Sequence, residues 1–281
     1  MKYQTSAKYV RAVGAILFTI CCSLYTSPVK AQVGEYRNDF AIGVNAGVSM
    51  SNVGFVPKVP QSQLVGKTAG ITLRYTGEKY FNSICAIVAE LNYAEMGWKE
   101  RLEDLHDNPV MKVALDPETG KKLWDETTNK YLTTDEPERY ARRITYLQVP
   151  VFARLGWGRE RRGFQFYFQT GPQLGFYHSE KTESNFLLEN RNAFDRTSTV
   201  IAQDTMSVEN KLDYGIAAGF GLEFSHPKVG HFLLEGRYYF GLGNIYGNSK
   251  RDFFAKSNFQ TITIKLSYLF DVIRVKNSKI K

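Results

Sequence analysis

The chain has 281 residues, a net charge of +8 and an aromatic share of 14%, with 19 Phe and 17 Tyr. Its hydrophobic residues, 43% of the total, are not gathered into the runs of about 20 that transmembrane helices need, so a helical membrane bundle is excluded. With 23 Gly and only 9 Pro, collagen-like and Pro-rich disordered classes are excluded too.

Residues 1–31 read as a secretory signal. Lys2, Lys8 and Arg11 give a positive start, Ala12 to Tyr25 an apolar stretch of 14 residues, and Val29-Lys30-Ala31 a small-residue cleavage pattern before Gln32. An uncleaved anchor would need a longer apolar stretch. Cys21 and Cys22 are not preceded by a lipoprotein cleavage box. Cleavage removes Lys2, Lys8, Arg11 and Lys30 and halves the excess charge, which leaves no footprint for nucleic acid. Only Cys85 of the three cysteines stays with the exported part, so no disulfide framework is expected.

Beyond residue 38 the hydrophobic pattern has period 2, the repeat of a β-strand. Phe40, Ile42, Val44, Ala46 and Val48 alternate with Ala41, Gly43, Asn45, Gly47 and Ser49. Tyr214, Ile216, Ala218, Phe220, Leu222 and Phe224 alternate with polar or small residues, as do Ile262, Ile264, Leu266, Tyr268 and Phe270. In chain order the pattern predicts eight strands, at about 39–50, 68–76, 83–96, 143–156, 164–177, 212–224, 231–242 and 260–270. The connections alternate in length. Gly77 to Tyr80, Trp157 to Gly163 and Ser225 to Gly230 are short; 51–67, 97–142, 178–211 and 243–259 are long.

That asymmetry is built into a membrane barrel, with tight periplasmic turns at one rim and long extracellular loops at the other. A soluble domain seldom carries several long structureless loops. Hydrocarbon offers no partner for backbone groups, so the sheet must close on itself. The expected fold is therefore all-β, an eight-stranded antiparallel up-and-down transmembrane barrel over 39–270. A periplasmic segment 32–38 precedes it and a basic periplasmic tail 271–281, with Arg274, Lys276, Lys279 and Lys281, follows it. The competing soluble β-sandwich or lipocalin-like barrel would carry Lys and Glu on its polar face; here that face is mostly Gly, Ser, Thr, Asn and Gln.

Apolar side chains then face lipid, and Tyr75, Tyr93, Phe176, Tyr238, Phe240, Tyr268 and Phe270 fall near strand ends, where interface aromatics sit. The inward face carries Arg74, Arg154, Arg237 and Lys265 against Glu90, Asp213, Glu223 and Glu235, a neutral set. A barrel of eight strands is narrow enough for such side chains to fill it. Arg237 and Glu235, with Glu90 and Arg154, are expected to form a plugging network. Gly43, Gly47, Gly215, Gly219, Gly221 and Gly241 leave room opposite long side chains.

No catalytic, cofactor or metal site is expected. His106, His178, His226 and His231 form no ligand set; His226 and His231 flank a turn, but two ligands do not make a zinc site. Asp116-Pro117-Glu118-Thr119-Gly120 reads as a turn without calcium-loop spacing. Ser179 and His178 at a rim are the sole hint of an enzyme.

The order of motifs resembles the PorT-like outer-membrane β-barrel family of Gram-negative bacteria. The motifs are Glu90-Leu91-Asn92-Tyr93, Tyr146-Leu147-Gln148-Val149-Pro150, Gly171-Pro172, Asp213-Tyr214-Gly215, Gly219-Phe220-Gly221, Arg237-Tyr238, Gly241-Leu242, Asn244-Ile245 and Leu266 to Phe270. The resemblance implies a cell outer membrane location, membrane lipid and the barrel-assembly machinery as partners, and for one branch a link to protein secretion. It departs from the simplest pattern in the eleven residues after Phe270. The expected role is a non-enzymatic envelope scaffold or secretion-associated component, possible partners being other envelope or secretion proteins. The alternatives are a narrow small-solute channel or an adhesion protein acting through loop 97–142, with its Trp98, Trp124, Tyr131 and Tyr140.

Overall fold

A computed structural model describes residues 35–80, 83–159, 162–198, 200–249 and 252–274. The expected signal 1–31 and the tail beyond Arg274 lie outside the described residues.

Alternation of apolar and small or polar residues produces eight long strands: β1 (Glu35–Val56), β2 (Leu64–Tyr80), β3 (Ser83–Glu100), β4 (Tyr140–Gly158), β5 (Gly163–Ser184), β6 (Leu212–His226), β7 (Gly230–Gly241) and β8 (Lys256–Ile273). Each is hydrogen-bonded to the next in sequence, and β8 pairs antiparallel with β1, so the sheet is a closed ring of eight. Closure leaves no edge with unpaired backbone groups, as a bilayer requires.

Every strand buries one face and exposes the other. On β6 the alternation runs without a break from Leu212 to Ser225, with Tyr214, Ile216, Phe220, Leu222 and Phe224 exposed on the outside. The corresponding exterior of β8 is Ile262, Ile264, Leu266 and Phe270, and the interior holds Lys265, Ser267 and Leu269. The tube is thus apolar outside and polar inside through its middle, the reverse of a soluble barrel. No helix among the described residues is long and apolar enough to cross a membrane.

Two rims differ. At the periplasmic rim the β4–β5 and β6–β7 turns are tight, and Gly158 (φ 124°) and Gly230 (φ 116°) hold a backbone conformation that side chains resist. The expected turn at Gly77–Tyr80 is instead strand: a bulge between Thr76 and Glu78 absorbs an extra residue and β2 runs to Tyr80. At β8 the ladder continues past Phe270 to Ile273, so Asp271 is a barrel residue and not part of a tail.

At the other rim the strands outrun the expected spans. β1 continues to Val56, β3 to Glu100 and β5 to Ser184, and β4 begins at Tyr140. Beyond the lipid-facing band these extensions enclose a second, apolar core. Phe55 packs against Trp98 (5.3 Å between centroids) and Phe254 (4.8 Å), and Tyr246 stacks on Phe254 (5.4 Å). Trp98 and Tyr140, expected in a long loop, are fully buried strand residues of this cap. Within 101–139 the chain forms two small ladders, Met111–Val113 with Thr133–Pro137 and Trp124–Asp125 with Lys130–Tyr131. They build an arm whose ends meet where Glu138 N donates to Val110 O (2.8 Å). The turn expected at Asp116–Gly120 is present: Asp116 accepts from Glu118 N (2.9 Å) and Thr119 Oγ1 (2.8 Å).

Candidate functional site

The interior is the first candidate, and all eight charges named from the sequence point into it and are buried. They fall into two clusters and one isolated pair. In the middle of the tube Arg237 Nη1 and Nη2 each donate to one oxygen of Glu90 (3.0 Å), and Arg237 Nε donates to Glu235 (2.8 Å). Lys265 donates to the same Glu90. Asn92 donates to Glu90 (2.8 Å) and Asn45 to Asn92 (2.9 Å) and Thr72 (2.8 Å), which carries the network to the β1 wall.

Nearer the periplasmic rim, Arg74 and Arg154 both donate to Glu223. Arg154 was expected beside Glu90 and Glu235; it sits instead in this second cluster. Its guanidinium lies 3.6 Å from the centre of the Tyr167 ring, whose hydroxyl donates to Glu235 (3.2 Å), so Tyr167 joins the two clusters. Asp213 pairs with no cation among the described residues: it accepts from the Tyr239 hydroxyl (2.7 Å). A buried charge that lost its partner would cost about 3–5 kcal/mol, so each pairing fixes the positions of the strands that bear it.

Two residues of the periplasmic cluster were assigned elsewhere by sequence. His231 places Nδ1 at 2.7 Å from Glu223 and Nε2 at 3.1 Å from Asp271. Asp271 also accepts from Arg274 Nε (2.9 Å). Continuing the inward parity of β8 past Leu269 gives Asp271, so the signal existed. Ser225 Oγ is 2.8 Å from His231 Nδ1, which aligns Ser225, His231 and Asp271. The serine is fully buried, and the ring lies against a carboxylate at each nitrogen, Glu223 of β6 and Asp271 of β8, which clamps the three strands together. His226 takes no part, and no metal-holding group of acids, histidines or cysteines occurs among the described residues. His178 lies outside the wall with its ring 5.7 Å from Tyr93, and Ser179 is paired with Thr145 across the sheet.

Space inside is scarce. Cavities of about 30 Å³ beside Arg74, Glu223 and His231 and about 10 Å³ beside Asn92, Gln148 and Lys265 interrupt the packing. One water needs about 10–15 Å³, so neither cavity has room for more than isolated waters. Small residues make the filling possible. Tyr167 stands opposite Gly221 and Gly156 on the flanking strands, and a Cβ at Gly221 would lie 2.5 Å from the phenol ring.

The extracellular mouth is shut by a different chemistry, invisible to strand periodicity because its residues come from loops. Arg196, from the connection after β5, donates to Glu100 (2.7 Å) and to Asp204 (2.8 Å), all three buried. Burial and the neighbouring Asp204 push the Glu100 carboxyl up to about 8, with Arg196 opposing. Arg142 donates to Gln203 O (3.1 Å), Tyr246 Oη (3.3 Å) and Glu180 (2.9 Å), tying the loops to β4 and β5.

The interface aromatics named from sequence all lie on the outer wall. Tyr93, Phe176, Tyr238 and Phe240 are exposed towards the extracellular side, Tyr75 and Phe270 towards the periplasmic side, and Tyr268 is half-buried with its ring 5.1 Å from Phe232. Trp124 and Tyr131 are instead in the arm, where they pack edge to face (4.9 Å) and meet Phe194 at 6.1 and 5.5 Å. Phe194 is 63% exposed and Trp124 42%, an aromatic surface at the far end of the molecule.

Residues 30–247 match the family model described as outer membrane protein beta-barrel domain. No curated protein matches the chain at a significant level. Among solved structures, Ail of Yersinia pestis in complex with the heparin analogue sucrose octasulfate is similar at 14% identity, with a TM-score of 0.31, over 83% of this chain and 99% of its own. Neisserial surface protein A is similar at 8% identity and TM-score 0.36, over 82% and 97%. OprG from Pseudomonas aeruginosa is similar at 13% identity and TM-score 0.35, over 84% and 98%.

Proposed function

The chain belongs to the outer membrane protein β-barrel domain family and resides in the outer membrane, and from that premise we propose that it is a closed, non-enzymatic envelope scaffold that presents an ordered extracellular head for recognition. The observation that carries this reading is the double closure. Paired charges fill the tube from Glu223 to Glu90, and the Phe55–Trp98–Phe254 core with Arg196 seals the mouth. Among the described residues this double closure favours a closed tube over a channel. Exposed to the medium is the arm with Trp124 at its surface, against which Phe194 of the connection after β5 packs. Large, rigid aromatic rings are the residue type that recognition surfaces favour.

A PorT-like, secretion-associated role is a second reading, supported by the motif order around Glu90, Asp213 and Arg237. Its partner would meet the periplasmic end. Co-purification from native membranes separates the two: loss of captured partners when 111–137 are removed supports recognition through the head, and partners retained without the arm but lost with the segment after Ile273 support the secretion reading.

A further inference from the structure

Just above the lipid-facing band, the outer wall formed by β2 to β5 carries four cations, three of which form no ion pair among the described residues. Lys67 on β2 lies in register with Glu95 on β3, one step beyond the Thr68–Ala94 pair. Gly97 on β3 faces Arg143 on β4, and Arg143 faces Lys181 on β5. Lys99 sits two residues further along β3, opposite Ala141. Adjacent strands are about 4.8 Å apart, so the row crosses roughly 15 Å of wall. Arg143 is held by Glu95 (3.0 Å) and Glu183 (3.4 Å). Lys67, Lys99 and Lys181 are exposed, and their ammonium groups make no ion pair among the described residues.

The other wall differs. Towards the extracellular ends of β1, β8 and β7 the wall turns Asn52, Gln260 and Phe240 outward, and Lys256 lies over the ring of Phe240 (5.6 Å). Directly below the cation row sit Tyr93, with His178 against it, and Phe176, the aromatic level at which acyl chains give way to headgroups. Three ammonium groups without an ion pair among the described residues, above an aromatic collar on one side of the barrel, are complementary to a molecule that is anionic at its head and greasy below.

We propose that this wall binds a phosphate-bearing lipid of the outer leaflet, with Lys67, Lys99 and Lys181 on its phosphates and its acyl chains against Tyr93, Leu147 and Phe176. Each lysine near an anionic membrane surface contributes about 1 kcal/mol, about fivefold in affinity. The test uses the full-length barrel in nanodiscs of phosphatidylcholine doped with diphosphorylated lipid A or with the same lipid stripped of its phosphates, followed by mass spectrometry of the lipid that stays bound after extraction. The phosphorylated lipid is expected to be retained in clear excess, inorganic phosphate to leave it in place, and the triple variant Lys67→Gln, Lys99→Gln, Lys181→Gln to lose on the order of a hundredfold while still migrating as a folded barrel. Lys256→Gln on the other wall should change nothing. Equal retention of the two lipids, equal retention by the triple variant, or displacement by inorganic phosphate would overturn the proposal.

Discussion

Arg237 on β7 donates from both terminal nitrogens to the two oxygens of Glu90 on β3, at 3.0 Å each, although the residues are 147 positions apart. The pair spans the tube, and Lys265 and Glu235 complete it from β8 and β7. Replacing Arg237 by Met leaves Glu90 with Lys265 alone, and Glu90→Leu leaves two cations facing each other. Each is expected to destabilise the barrel by about 3–5 kcal/mol. Urea titration in micelles, read by the fraction that keeps the fast, unboiled gel mobility of a folded barrel, checks this; an unchanged midpoint for both variants would remove the network from the stability account.

Gly221 gives Tyr167 its place inside the wall. A methyl group there would meet both the phenol ring at 2.5 Å and the Leu234 carbonyl at 2.6 Å. Gly221→Ala is expected to cost about 1–3 kcal/mol, the usual range for overpacking. Adding Tyr167→Leu should return part of that loss by removing one of the two clashes. The same urea titration measures it, with the double variant between parent and single.

The cap should depend on pH. Glu100 holds its proton far more tightly in the folded cap, where burial and Asp204 push it up to about 8, than in an unfolded chain at 4.5. Its contribution is complete below the unfolded value and is lost as pH rises from there through about 8. Glu138, also raised by burial, acts in the same direction. Protease cutting in 185–211 should therefore increase across that window, and Glu100→Gln should flatten the dependence. Cutting that decreases with rising pH would reverse the assignment.

The arm is separable from the barrel. Its ends are joined by the Glu138–Val110 backbone bond, and its aromatic contacts are internal or to Phe194. Replacing 111–137 with a short Gly-Ser turn is expected to leave heat-modifiable migration intact and to reduce tryptophan emission by the loss of Trp124. Failure of this variant to fold would make the arm part of the barrel's core.

The eight spans and the parity of their faces were legible because bilayer and lumen impose opposite polarity on neighbouring residues, as on β6 from Tyr214 to Phe224. Which charges meet was less so. Parity puts Arg154 inside but does not give its height relative to Glu223 and Glu90, which depends on strand stagger. The cap was not legible at all. Outside the membrane Trp98, Tyr140, Arg196 and Tyr246 no longer obey a two-residue rule, since extended strands and returning loops share one core there. Asp271 was hidden by the aromatic Phe270, which marks a strand end in the simplest pattern but here stands three residues before it.

Recording from purified, full-length protein in a planar bilayer tests the closed tube most directly. With Glu223, Glu90 and the Phe55–Trp98–Phe254 core in place, no steady conductance above the lipid background is expected. A steady, large conductance from folded barrels would contradict it.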